Sequence, residues 1–275
     1  MKNSQETKQS KLLKINQKGV ATPIDPKNLN IKIGDAFILG DHLLLCRDAT
    51  NTDLMDLGKY LQVHAIITDP PYAVDYVASK KDMQNISKDK DILNDGFKSD
   101  AEYIKFTKSW LIGVLWCLSG KNSIYIFNCD KMVFALRQAL VEMNVKVSQM
   151  LIWVKNQAVI GRLDYLPQHE LILYGWHHRH NFRRGKDKSV IFEPKPSKSK
   201  LHPSMKPISL MRKLILNSTN IGNIIYDPFG GSGSTLIACE QLKRKCIMVE
   251  MDPEYCEVII KRYLKLINYG RSKQK

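Results

Sequence analysis

Long apolar runs are scarce in this sequence. The longest covers about eight residues, Leu111–Leu118, against the ~20 that a bilayer-crossing helix needs. No membrane partner is therefore expected. The leading residues Met1–Lys18 are polar and lysine-rich with no apolar core, which does not read as a secretory signal. Paired cysteines are also missing. Cys46, Cys117, Cys129, Cys239, Cys246 and Cys256 are scattered, with no Cys-x-x-Cys among them. That usage excludes a disulfide framework or zinc knuckle and predicts a reduced, cytoplasmic protein. The run His177-His178-Arg179-His180 lacks partner ligands and reads as a basic surface loop, so no metal is expected. Acid is the minority charge: 27 Asp and Glu stand against 42 Lys and Arg, a formal net charge of +15. With a membrane set aside, that excess favours nucleic acid, although a lysine-rich surface kept for solubility has the same composition.

What is present suits one large α/β domain: 275 residues, 44% hydrophobic, enough to bury a core. Residues 1–30 are polar and expected to be flexible. Ile31–Leu39 and His42–Cys46 predict a hairpin turning at Gly40-Asp41. A short helix is expected over Asp53–Gln62, then an apolar strand, Val63–Thr68. Residues 73–100, rich in Lys, Asp and Ser, have no periodicity and read as a long mobile loop. Helices follow at Ala101–Leu118 and Lys131–Met143, and strands at Ser123–Phe127, Val147–Val154 and Glu170–Tyr174.

The last third alternates: helix Ile208–Ser218, strand Asn223–Tyr226, helix Ser234–Leu242, strand Cys246–Val249, helix Pro253–Ile267. Strands alternating with helices predict a mostly parallel sheet covered on both faces. The catalytic domain is expected to span 31–268, ahead of a basic tail at 269–275.

A glycine-rich turn, Asp227-Pro228-Phe229-Gly230-Gly231-Ser232-Gly233-Ser234-Thr235, lies between a predicted strand and helix. Glycines there let the chain turn sharply and let a ligand approach the backbone. Glu250 closes the next strand 23 residues after Asp227, next to Met251. An acid at that spacing can accept hydrogen bonds from ribose hydroxyls. The pair reads as a nucleoside-cofactor site. It is not a P-loop, since no Lys follows the glycines, and the Gly-x-Gly-x-x-Gly spacing of a dinucleotide site is absent.

The second motif is Asp69-Pro70-Pro71-Tyr72, directly after the strand Val63–Thr68. Two prolines fix an extended turn. The Asp69 carboxylate and the Pro70 carbonyl can then face one spot, as an amino group with two hydrogens requires, and Tyr72 offers a flat face to a base. Taken alone, four residues are as consistent with a simple turn.

Together, and in this order, the two motifs resemble the S-adenosylmethionine-dependent amino-methyltransferases of DNA, the N6-adenine/N4-cytosine family. The catalytic motif precedes the cofactor motif, as in the permuted beta class. Further segments are similar to that family: His202-Pro203-Ser204-Met205-Lys206-Pro207, which there lines the methionine end of the cofactor; Asp48-Ala49, with Arg47 where Gly is usual; and Trp153-Val154-Lys155, Gly161-Arg162, Asp164-Tyr165 and His169-Glu170, shared with a smaller group of these methylases. The resemblance covers roughly residues 31–268 and implies a Rossmann-like fold.

It further implies that Asp69, Pro70, Pro71 and Tyr72 are catalytic. Asp48, Ala49, Asp69, His202, Ser204, Lys206, Asp227–Thr235, Glu250 and Met251 would hold S-adenosyl-L-methionine. An adenine is favoured, because the cytosine-N4 enzymes more often carry Ser at the position of Asp69. No covalent intermediate is called for, and no cysteine follows a proline as a cytosine-C5 enzyme would need.

Double-stranded DNA is the expected partner, with the target base flipped out of the helix. Between Trp176 and Lys213 the sequence carries 11 Lys and Arg against two acids. The basic insert 176–200 within that stretch is the expected target-recognition region. Arg162, Arg179, Arg183, Arg184, Lys186 and Lys188 are the expected phosphate contacts. So short a region leaves open a short target, a homodimer, or a helper or restriction subunit. A DNA-binding regulatory subunit without catalysis is the reading from another class.

Overall fold

In a computed structural model the described residues are 12–52, 54, 61–72, 99–159, 164–185, 187–195 and 205–272. Arg162, Lys186, His202, Ser204, most of the helix expected over Asp53–Gln62 and most of the loop expected over 73–100 lie outside them.

Among the described residues twelve strands form the sheet system: β1 (Leu12–Ile15), β2 (Ala21–Pro23), β3 (Ala36–Leu39), β4 (His42–Cys46), β5 (Val63–Thr68), β6 (Leu118–Asn128), β7 (Lys146–Val154), β8 (His169–Trp176), β9 (Arg179–His180), β10 (Val190–Phe192), β11 (Ile224–Asp227) and β12 (Lys245–Glu250). The described α-helices are α1 (Asp100–Leu115), α2 (Val133–Glu142), α3 (Ile208–Ser218), α4 (Ser234–Gln241) and α5 (Pro253–Ser272). The order across the sheet is β10-β7-β8-β6-β5-β11-β12-β4-β3-β1-β2, with β9 beside β6. The central run from β6 to β4 is parallel. β8 runs against both β6 and β7, and β3 turns back on β4 as a hairpin.

Side-chain alternation splits the core into two layers. On β5 and β6, Ala65, Ile67, Tyr125 and Phe127 face the cluster made with α3, α4 and α5, while Ile66, Ile124 and Ile126 face the cluster made with α1 and α2. Burial on both faces is why these strands read as apolar runs rather than alternating ones. α1 starts with a capping box, Ser99 accepting from the Glu102 amide and Glu102 accepting from the Ser99 amide.

The expected fold class stands: a Rossmann-like α/β sheet with helices on both faces. Several boundaries differ. Part of the leading segment expected to be flexible is paired, β1 lying against β3 and β2 against β1. Its Leu12 and Ile15 pack on the two core clusters, a hydrophobic contribution hidden in a polar composition. β6 begins at Leu118, and α5 runs to Ser272.

Candidate functional site

In a parallel sheet, ligands settle outside the carboxyl ends of the strands. Here β5 ends at Thr68 and β11 at Asp227, and the two strands are neighbours. The Thr68 hydroxyl donates to Asp227 Oδ1 at 2.8 Å, inside the core. The turn that follows each strand is thus held against the other across 159 residues of sequence.

The glycine turn is built by close approach. A Cβ on Gly230 would stand 2.7 Å from Met248 Cγ, and one on Gly233 2.9 Å from Ile259 Cγ1. Gly233 also has φ +81°, and Ser234 opens α4 directly after it. Asp227 Oδ1 accepts the Phe229 amide at 3.2 Å. The Phe229 ring meets Trp110 edge-on at 5.7 Å. Arg262 of α5 donates to the Ser232 carbonyl and, at 3.0 Å, to its hydroxyl.

Glu250, at the end of β12, accepts the Gly231 amide at 2.6 Å and the Asp252 amide at 2.9 Å. Burial pushes both Asp227 and Glu250 up to about 7. A buried carboxyl, Asp227, and a part-buried one, Glu250, bracket the glycine turn with no ion pair to either among the described residues, which fits a ligand that donates hydroxyls, the donor set of a ribose. Met251 is half-buried beside them.

Asp48 and Ala49, expected beside the cofactor, lie in a short local structure. Asp48 caps the short 3-10 helix Ala49–Asn51, accepting from the Thr50 amide and hydroxyl at 2.8 Å each. Ala49 is buried.

On the other side of β5, Asp69 sits in a compact charge cluster. Its Oδ1 accepts the Tyr72 hydroxyl and its Oδ2 accepts Lys206 Nζ. Lys206 Nζ also lies 3.1 Å from Glu170 Oε2, and Glu170 Oε1 lies 2.8 Å from Lys155 Nζ. Both lysines are buried, 6% exposed at Lys155 and 5% at Lys206. Lys206 Nζ stands over the Phe127 ring at 5.2 Å and the Tyr72 ring at 5.8 Å.

Burial raises Asp69 above the usual carboxylate range, against the pull of Lys206. Burial works the same way on Glu170, yet Lys206 and Lys155 together hold it down to about 2. The Tyr72 hydroxyl is driven well above its ordinary value, first by burial and then by the two carboxylates. Lys206 is linked back to the glycine turn, because the Ser234 hydroxyl donates to its carbonyl at 2.9 Å.

The structure thus brings Asp69, Pro70, Pro71, Tyr72, Lys206, Asp227–Thr235 and Glu250 to one end of the sheet. Of the DNA contacts expected from the sequence, the three described arginines, Arg179, Arg183 and Arg184, are not brought there. β9 pairs Arg179 with Lys121, five residues before Ile126, which is level with Thr68. At strand rise, that puts Arg179 roughly 17 Å from the carboxyl end of β5. The Arg183 amide donates to the Asn217 carbonyl at 2.7 Å, in the last turn of α3. Lys206 lies ahead of the first turn of α3, about 14 Å away along the axis. Arg184 is exposed beside Arg183. Lys188 leads into β10 at the sheet edge, four strands from β5. Its neighbour Asp187 is held by Lys213 at 3.1 Å and by Asn217 at 2.8 Å. The chain leaves β8 at its far end, so Arg179, Arg183 and Arg184 lie toward the amino end of the sheet, and β10, parallel to β7, brings it back to the carboxyl end at Phe192.

The DNA methylase family pattern matches residues 63–262. The chain belongs to that family. The methylase is 27% identical to the type II methyltransferase M.HpaI of Haemophilus parainfluenzae over 247 residues, 81% of this chain and 74% of the relative. It is 26% identical to M2.MboI of Moraxella bovis over 261 residues, 87% of this chain and 89% of the relative. Among solved structures, M1.HpyAVI, determined as a complex with SAM, has a TM-score of 0.59 at 26% identity and covers 80% of this chain and 98% of its own. The cytosine-N4-specific PvuII DNA methyltransferase has a TM-score of 0.63 at 13% identity, covering 83% and 92%, and shares the fold. The methylase is thus a DNA amino-methyltransferase of the N6/N4 kind, and the matched span runs from the first residue of β5 to Arg262 on α5.

Two members of the methylase's charge cluster, Lys155 and Glu170, stood in segments similar to the family but were not expected site residues. The signal was weak in sequence. Lys155 follows β7 and Glu170 lies in β8, and the antiparallel pairing of Trp153 with Glu170 is what sets them side by side.

Proposed function

We propose that this methylase moves the methyl group of S-adenosylmethionine to the N6 amino group of an adenine flipped out of duplex DNA. The observation that carries the reading is the convergence of the Asp69 and Asp227 turns at adjacent strand ends, tied by the Thr68–Asp227 hydrogen bond. A methyl donor in the glycine turn and an amine held at Asp69 would then meet in one crevice, which is the main contribution a protein can make to such a transfer. Glu250 would accept the ribose hydroxyls, and the backbone of Gly230–Ser234 would lie against the donor.

S-adenosylmethionine, when bound, supplies a methyl on a positively charged sulfur that departs as a neutral thioether. Asp69 and the Pro70 carbonyl orient the amine by accepting its two hydrogens, leaving the nitrogen lone pair directed at the methyl. As the N–C bond forms, the amine gains positive charge and must lose a proton. Asp69, already raised by burial, is the nearest acceptor for it. Tyr72 supplies the ring against which the base stacks.

Support for adenine over cytosine rests on Asp, rather than Ser, at position 69. Duplex DNA would cross the carboxyl end of the sheet. There the β7–β8 connection is closed at its base by the Lys155 amide donating to the Gln168 carbonyl at 2.8 Å, and it carries the exposed Tyr165. Arg179, Arg183 and Arg184 can then serve a duplex only away from the reacting base.

The test is direct. The protein is incubated with labelled S-adenosylmethionine and unmethylated DNA, the DNA is digested to nucleosides, and the products are separated by mass spectrometry. N6-methyladenine is the expected product. N4-methylcytosine would overturn the base assignment and keep the mechanism, and no transfer to DNA would overturn the reading.

A further inference from the structure

Asp69 has two oxygens, and both are taken: Oδ1 by the Tyr72 hydroxyl and Oδ2 by Lys206. An incoming amine needs at least one of them. The two donors cannot simply be expelled. Lys206 is only 5% exposed, and a buried charge stripped of its partner is strongly destabilising. A second acceptor stands ready for each donor. Glu170 Oε2 lies 3.1 Å from the Tyr72 hydroxyl and 3.1 Å from Lys206 Nζ. The other Glu170 oxygen is anchored by Lys155 at 2.8 Å.

We propose that Glu170 is a positioning residue that takes Lys206 and Tyr72 from Asp69 when the substrate amine arrives, while Lys155 holds the Glu170 carboxylate in place. Neither Glu170 nor Lys155 touches the reacting atoms. Both act through Asp69, so the inference rests on the reading of Asp69 as the group that holds the amine.

The groups facing Asp69 come from the elements around it: Tyr72 on its own turn, Lys206 ahead of α3, Glu170 on β8 and Asp227 at the end of β11, with Lys155 after β7 reaching it through Glu170. Glu170 is a like charge that favours a proton on Asp69, and the lysines oppose it. Removing the Glu170 charge leaves Lys206 to Asp69 alone, a tighter pair and a weaker base. Removing Lys155 does the reverse, because Glu170 then draws harder on Lys206. A purely structural role would not give opposite signs.

The experiment uses the full chain with Glu170→Gln and Lys155→Met. Turnover is measured against pH, S-adenosylmethionine affinity by titration calorimetry, and the Asp69 carboxyl by carbon NMR in the protein without DNA. Glu170→Gln is expected to lower kcat by about tenfold or more, to leave cofactor affinity within about twofold, and to move the acid limb of the rate profile and the Asp69 titration to lower pH. Lys155→Met is expected to move both to higher pH with a smaller loss of kcat.

Near-wild-type kcat with an unmoved acid limb in Glu170→Gln would overturn the proposal, as would a shift of the same sign in both variants. Should Glu170→Gln fail to fold, Lys155→Met decides by the sign of its shift. A protein that methylates no DNA would sink the functional reading, whereas the NMR titration would still report whether Glu170 governs Asp69.

Discussion

The two ends of the central sheet carry charge in opposite ways. At the carboxyl end, Asp69, Lys155, Glu170 and Lys206 are drawn from positions far apart in the sequence into one shielded network. At the amino end, Arg179, Arg183 and Arg184 are close in sequence and exposed to water. Exposed charges interact weakly and are screened by salt within about 10 Å. Buried ones set each other's protonation state. The conspicuous basic run and the buried charge network of the molecule are therefore in different places, and sequence density of charge is a poor guide to where charges are brought together.

That contrast can be broken by substitution. The largest effect belongs to Asp69→Ala, expected to cost on the order of 10³-fold or more in methyl transfer while S-adenosylmethionine still binds, as titration calorimetry would show. Near-normal turnover would remove the carboxyl end from the chemistry. Next comes Glu250→Ala, expected to weaken cofactor binding by roughly 10–100-fold, the worth of charge-assisted hydrogen bonds, with unchanged affinity as the contrary result.

A pH effect follows from the same carboxyl. Burial raises Glu250 from 4.5 to about 7 in the folded protein. The folded state therefore binds more protons than the unfolded one in that window. The stability this group contributes is fully present below about pH 4.5 and is lost as pH rises through about 7. Thermal melts should show Glu250→Gln gaining on the wild type from pH 5 to pH 8, and a constant gap would count against the shift.

The smallest effect sharpens the comparison from the other side. Joint charge reversal of Arg183 and Arg184 to Glu should leave kcat on a short duplex within about twofold, since surface substitutions far from the reacting groups are nearly neutral. It should reduce only the salt dependence of binding to long DNA. A collapse of turnover on the short duplex would restore this segment to the catalytic interface.

Much of this arrangement was legible in the sequence, and the missing parts share one cause. α3 falls on Ile208–Ser218 as expected, because its apolar spacing is local information. Asp69 and Asp227 could be placed because each follows an apolar strand. Lys155 and Glu170 could not, since their meeting depends on how β7 and β8 pair. The position of Arg179 depends on β8 running backwards through the sheet, which no local pattern announces. Asp48 entered through resemblance, and its capping of the Thr50 amide and hydroxyl is a local contact that the resemblance did not announce.

The hydrogen bond from Ser234 to the Lys206 carbonyl makes the glycine turn a mechanical support as well as a bend in the chain. Ser234 is the first residue of the helix that the turn leads into, so whatever steadies that turn steadies the lysine. Rigidity passes from one strand end to the next through a hydroxyl and a carbonyl, with no charge in between.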